Sequence, residues 1–274
     1  MISVRPDKKT NLNKPLLCIA ACLLLTLTGC VQNKTYIGSD KPVVEKELDP
    51  IAAAKTRISL GLVYLQKGSS AQAKYNLEKA LEFAPELPEA NYSLAYYYQT
   101  VNNKEKAQYF YEKVISLDEE NGDAYNNYGA FLCDQGDVKK ARNLFLKAVE
   151  IDSYIRVAQT YENLGLCLYD SGEPEYQQQA KDYFIKALGY NARLVKSLSY
   201  LTQISLDEGD IPVAWAYFEQ LEKVIPRQNA SFLWLSYQLN SATGYRAKAE
   251  QVAERLLTLF PKSGQAKLYK ELNR

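Results

Sequence analysis

Apolar positions along this chain recur at a fixed distance. Ala73, Ala107 and Ala141 are spaced by 34 residues, as are Leu77, Tyr111 and Phe145, and as are Ala80, Val114 and Ala148. Gly61 and Gly129 lie 68 apart, twice that period. A plain helical bundle shows 3.6-residue periodicity but no such register. The pattern predicts a unit of two antiparallel helices. Small residues stand where the helices cross, and a large residue fills the gap between units. Two stretches before residue 51 do not share the pattern. Residues 15–29 are a continuous apolar run, and residues 31–50 have no periodicity and contain Gly38, Ser39, Pro42 and Pro50.

The 34-residue unit resembles the tetratricopeptide (TPR) repeat. Six units fit: 54–87, 88–121, 122–155, 158–194, 195–228 and 230–263, with residues 264–274 as a capping helix. Unit 4 carries three extra residues, placed in its turn within SGEPEYQQQ. Unit 6 has the weakest signal. A cap is expected because an end repeat otherwise leaves its apolar face wet. The expected fold is all-α, a right-handed superhelical solenoid over residues 51–274.

The resemblance implies that the first helix of each unit lines a concave groove, through places 2, 5, 9 and 12 of the unit. In unit 1 these are Lys55, Ile58, Leu62 and Leu65. In unit 2 they are Glu89, Tyr92, Tyr96 and Gln99; in unit 3, Asp123, Asn126, Ala130 and Cys133; in unit 4, Gln159, Glu162, Leu166 and Tyr169. Ile58, Leu62, Leu65, Tyr92, Tyr96 and Asn126 are the candidate partner-binding residues. An apolar stripe with aromatic neighbours suits a protein segment laid into a groove. The alternative is that residues 43–53 fold back over the stripe. Some TPR domains hold a partner's terminal carboxylate with Lys and Asn; Ile58 and Leu62 stand at those places, which argues against that mode.

The first 29 residues read as a leader. Residues 1–14 are polar and basic, and the 15-residue apolar run is shorter than the roughly 20 residues a membrane span needs. It closes on Leu27-Thr28-Gly29-Cys30, which resembles the bacterial lipobox. The expectation is a signal peptide over 1–29, cleavage before Cys30, lipid on Cys30, and a tether over 30–50. A flexible chain of that length reaches about 25 Å root-mean-square. The residue after the cysteine is Val31, not the Asp of inner-membrane retention, so the expected address is the periplasmic face of the outer membrane.

Composition narrows the chemistry. The chain of 274 residues has no histidine, which removes His-based triads, proton shuttles and metal sites. No Gly-rich phosphate loop, metal-ligand spacing or nucleophile elbow is present. The formal net charge of +1 includes +3 from Arg5, Lys8, Lys9 and Lys14 against Asp7, leaving about −2 beyond residue 29. That gives no electrostatic footprint for nucleic acid. The expectation is no catalytic activity, no cofactor beyond the lipid, no small-molecule substrate, and a monomer when alone. Glu119 and Glu120 fall at a repeat junction and read as structural. Of five cysteines, only Cys133 and Cys167 lie in the repeats. Both are on first helices of neighbouring units, so they are either a disulfide or two buried thiols.

Two segments go beyond the generic repeat: Asn126-Asn127-Tyr128-Gly129-Ala130-Phe131-Leu132-Cys133 and Glu162-Asn163-Leu164-Gly165-Leu166-Cys167. With the lipobox and six units, they resemble the type IV pilus biogenesis and stability lipoproteins, the PilF/PilW pilotins. That resemblance implies a non-enzymatic lipoprotein whose protein partner is the pilus secretin subunit, delivered to or multimerised at the outer membrane. The other reading is a TPR lipoprotein adaptor for periplasmic proteases, cell-wall hydrolases or outer-membrane barrel assembly.

Overall fold

A computed structural model describes residues 49–273. Among them are thirteen helices and no strand. The units run α1 (Pro50–Gln66) with α2 (Ser70–Phe83), α3 (Pro88–Thr100) with α4 (Lys104–Leu117), and α5 (Gly122–Asp134) with α6 (Val138–Glu150). Then follow α7 (Val157–Asp170) with α8 (Pro174–Tyr190), α9 (Val195–Asp207) with α10 (Ile211–Val224), and α11 (Ala230–Ala242) with α12 (Arg246–Leu259), before the cap α13 (Gly264–Leu272). The leader, Cys30 and the tether up to residue 48 lie outside the described residues.

The helix pairs close as the repeat pattern demands. Ala73, Ala107, Ala141, Ala180 and Ala214 are wholly buried on the second helices. Leu77, Tyr111, Phe145, Phe184 and Phe218, one turn further on, fill the core. Each unit turns at the same place, its fifteenth residue. There Gly68, Gly136, Gly172, Gly209 and Gly244 have positive φ, as does Asn102 at 56°. Glycine takes that conformation without cost, and asparagine tolerates it.

Three boundaries differ from the sequence expectation. Asp49 and Pro50, assigned to the tether, start α1: the Asp49 carboxylate accepts from the backbone N–H of Ile51 and Ala52, and Pro50 sits in the first turn. Residues 50–53 therefore continue a helix and do not fold across the groove. The extra residues of unit 4 are not a longer turn. They lengthen α8 to 17 residues, where α2, α4, α10 and α12 have 14. Three residues make most of one helical turn, and Pro174 is preset for a helix start. The cap ends at Leu272, with Asn273 as its C-cap.

The packing has two layers. The first helices of successive units pack on one another at α1–α3, α5–α7, α7–α9 and α9–α11, and α11 packs on the cap. No pair of successive second helices packs so, among the described residues. A stack that closes on one side and opens on the other curves toward the closed side, so the first helices form the concave layer. The seam between α3 and α5 is the looser one, and a cleft opens there.

Candidate functional site: the concave face

The candidate groove residues divide by their place in the stack. Leu62 and Tyr96, at place 9 of units 1 and 2, are 36% and 45% exposed. They present apolar surface to solvent on the concave layer. Leu65 and Tyr92 are half-buried and packed against the main core. Tyr92 sets its ring edge to Tyr111, 6.2 Å between centroids. Further along, half-buried Ala130, Leu166 and Tyr169 continue the floor.

Ile58 and Asn126, expected in the groove, do not belong to it. Each is only 9% exposed. Both stand at place 5, which stacking turns into the seam with the next unit. Ile58 shares a cluster with Ala54, Ala80 and Ala90, the last being on α3. The Asn126 side-chain oxygen accepts from the Thr160 hydroxyl at 3.1 Å and from the Asn163 amide at 3.0 Å, both on α7. Thr160 in turn meets the Tyr154 hydroxyl at 2.8 Å. Asn126 is therefore committed to holding unit 4 on unit 3. Glu162, at the same place in unit 4, is buried too. It accepts from the backbone N–H and the hydroxyl of Ser197, both at 3.0 Å. Ser197 is the third residue of α9, whose own N-cap, Leu194, offers no side-chain acceptor. Glu162 thus caps the next unit's first helix from outside, a carboxylate at the positive helix end.

Cys133 and Cys167 face each other across α5 and α7, with Cα atoms 5.7 Å apart and their sulfurs bonded. That separation is the usual one for a disulfide. The link ties unit 3 to unit 4.

Carboxylates line both rims of the floor. At the loose α3–α5 seam, a cleft of about 460 Å³ is lined by Glu89 and Tyr92 of α3, Asp118 after α4, Asp123 and Asn127 of α5, and Arg156. Arg156 is tied to Asp123 at 3.0 Å. On the other rim, α5, α7 and α9 end on exposed Asp134, Asp170 and Asp207. The sequence expectation missed this second rim. Its signal was available, since all three stand at place 13 of their units. Glu119 and Glu120 lie in the exposed turn before α5.

Half-buried tyrosines give the floor its chemistry. Burial, then the Asp207 and Asp170 charges, pushes the Tyr169 hydroxyl above its ordinary value. Burial and then Asp170 do the same to Tyr200. These groups stay protonated and neutral, as hydrogen-bonding aromatic surface. The arrangement can bind a polypeptide; nothing in it positions a nucleophile against a base.

Comparison with known proteins agrees with this geometry. The tetratricopeptide repeat family matches residues 54–87 and 88–121, the limits read from the period for units 1 and 2, and also 110–143. The chain is 32% identical over 242 residues to "Type IV pilus assembly protein PilF" of Pseudomonas aeruginosa, covering 88% of this chain and 92% of the relative. An uncharacterised Haemophilus influenzae protein is 36% identical over 146 residues, 53% of this chain and 82% of its own. Among solved structures, that of Pseudomonas aeruginosa PilF superposes with a TM-score of 0.70 at 31% identity, covering 81% of this chain and 98% of that one. PilW, described as a widely conserved type IV pilus biogenesis factor, superposes with a TM-score of 0.68 at 22% identity, covering 79% and 97%, and so shares the fold. The chain is a type IV pilus biogenesis protein of the PilF/PilW family, built on the tetratricopeptide repeat that this family uses as a protein-interaction scaffold.

Proposed function

We propose that this protein is a pilotin: a non-enzymatic lipoprotein of the outer membrane that binds the type IV pilus secretin subunit and promotes its localisation and multimerisation. One observation carries the reading. Leu62 and Tyr96 stand uncovered on the concave layer of a chain related over most of its length to a pilus assembly protein. Uncovered apolar side chains that line a curved scaffold mark a place for another chain.

Each part of the chain has its role in this reading. Lipid on Cys30 supplies the address, and more than one acyl chain holds far more firmly than a single chain. The tether supplies reach. The groove holds a client segment until subunits assemble. The protein itself needs no cofactor, no nucleic acid and no small-molecule substrate, and the solenoid acts as a monomer.

The test is a deletion strain examined for secretin multimers as SDS-resistant gel bands. The reading requires that multimers and surface pili fall together and return with the wild-type gene. Normal multimers and normal pili in the deletion strain would overturn it. Cys30→Ala separates address from binding: the variant should still capture the secretin subunit in solution but fail to restore multimers. Full restoration by Cys30→Ala would make the lipid incidental.

A further inference from the structure

Charge is sorted between the two layers of the solenoid. From α3 onward the first helices carry Glu89, Asp123, Asp134, Glu162, Asp170 and Asp207 against a single cation, Lys196, whereas α1 carries Lys55 and Arg57 and no carboxylate. The second helices together carry an excess of positive charge, most of it on α6. In α6 alone, Lys139, Lys140, Arg142 and Lys147 face one carboxylate, Glu150. A chain near neutrality thereby acquires a concave face that is negative from α5 to α9, where Asp134, Asp170 and Asp207 stand.

The sorting runs against helix electrostatics. Helix C-termini carry partial negative charge, so carboxylates are disfavoured there and cations favoured. Yet α5, α7 and α9 all end on aspartate. No lysine or arginine stands on these three helices apart from Lys196, which is at the opposite end of α9. Asp170 and Asp207 bear on the floor tyrosines, raising Tyr169 and Tyr200 after burial has done so. At the other rim, the cleft beside Tyr92 holds Asp118 beyond the Arg156–Asp123 and Lys55–Glu89 pairs. The face is therefore an apolar, tyrosine-lined floor between two anionic rims.

We infer that the segment docked on this face is cationic and amphipathic: aliphatic or aromatic residues for the Leu62–Tyr96–Leu166 floor, flanked by lysines or arginines for the rims. The inference rests on the groove-binding reading above and specifies its partner. Apolar contact supplies affinity. Charge supplies steering and the rejection of acidic segments. A cation over the Tyr92 cleft has the tyrosine face as well as the carboxylates.

The test uses the soluble mature chain and two labelled peptides of about fourteen residues, one alternating Leu with Lys and one alternating Leu with Glu. Binding is followed by fluorescence anisotropy from about 50 to 300 mM salt. The Leu–Lys peptide should bind, weaken as salt rises, and lose about tenfold in affinity to the Asp134→Asn/Asp170→Asn/Asp207→Asn triple variant. A control triple variant on the second layer, Glu78→Gln/Glu219→Gln/Glu254→Gln, should bind as wild type does. Circular dichroism of both variants should match wild type. Equal binding of the two peptides, or equal loss in the two triple variants, would overturn the inference. The groove reading fails separately. Secretin capture that survives the aspartate variant but is lost in Tyr96→Asp would leave the groove and remove the cationic partner. Capture untouched by Tyr96→Asp would remove the groove itself.

Discussion

Gly165 sits where the two helices of unit 4 cross, and a Cβ there would lie 2.7 Å from the Phe184 ring. A glycine inside a helix costs about 1 kcal/mol relative to alanine, so alanine should stabilise an exposed site. Here overpacking opposes it by about 2–3 kcal/mol. Gly165→Ala should therefore destabilise by about 1–2 kcal/mol in urea melts; a stabilised variant would show that the crossing has slack. Unit 6 shows the complementary solution. Tyr237 occupies the small-residue place, and Ala253 stands where the other units put a large side chain. The residue signature is lost at both places, which is why the unit 6 signal is weak in the sequence, and the Tyr237 ring packs on Trp234 and on Tyr269 of the cap. The tyrosines make a second residue-scale prediction. Tyr92, Tyr128 and Tyr169 are all held above 10.0, by burial first. In the unfolded chain they ionise near pH 10. The stability they contribute is fully present below that pH and is lost as pH rises through their higher folded values. The urea midpoint should fall steeply only above about pH 10, with tyrosinate absorbance rising as the helices melt. Ordinary tyrosine titration with helicity intact would contradict this.

At the scale of elements, the helices were legible and the seams were not. The 34-residue period set the starts of units 1 to 3, and the recurring small and large residues set the later ones, because helix crossings select small residues directly. Which face of a first helix meets solvent depends on the neighbouring unit, and a single unit's pattern does not contain that. Ile58 and Asn126 were misplaced for this reason, and Glu162 appeared as a groove residue when it caps α9. A prediction separates seam from groove. Asn126→Ala leaves the buried Thr160 hydroxyl and the Asn163 amide without their acceptor, at a cost of about 2 kcal/mol. It should lower stability while leaving partner affinity unchanged once the protein is folded. Loss of affinity without loss of stability would return Asn126 to the binding face. The α5–α7 disulfide encloses 34 residues of sequence separation. Its reduction should cost about 3–4 kcal/mol in the chain-entropy model. The check is the urea midpoint with and without dithiothreitol, beside intact mass of the alkylated, non-reduced chain. Two alkylated cysteines in that mass would show free thiols and remove the effect.

At the scale of the whole molecule, curvature turns a one-dimensional repeat into two chemically different surfaces. Successive first helices close on one another except at the looser α3–α5 seam and form the inner layer, so whatever recurs on them becomes a strip along it. Aliphatic and tyrosine side chains at places 9 and 12 become a floor. Aspartates at place 13 become a rim. Most helical cations stand on the second helices, with Lys55, Arg57 and Lys196 the exceptions on the first. Such a strip engages an extended or helical segment along its length, and shallow contacts repeated over several units replace a single deep pocket. The central claim is that the client lies on this inner strip. Site-specific photocrosslinking in living cells tests it most directly, with benzoylphenylalanine placed at Tyr96 on the inner layer or at Glu219 on the outer. The account predicts a crosslinked species containing the secretin subunit from position 96 and none from position 219. Crosslinks from 219 alone would place the client on the outer layer and contradict it.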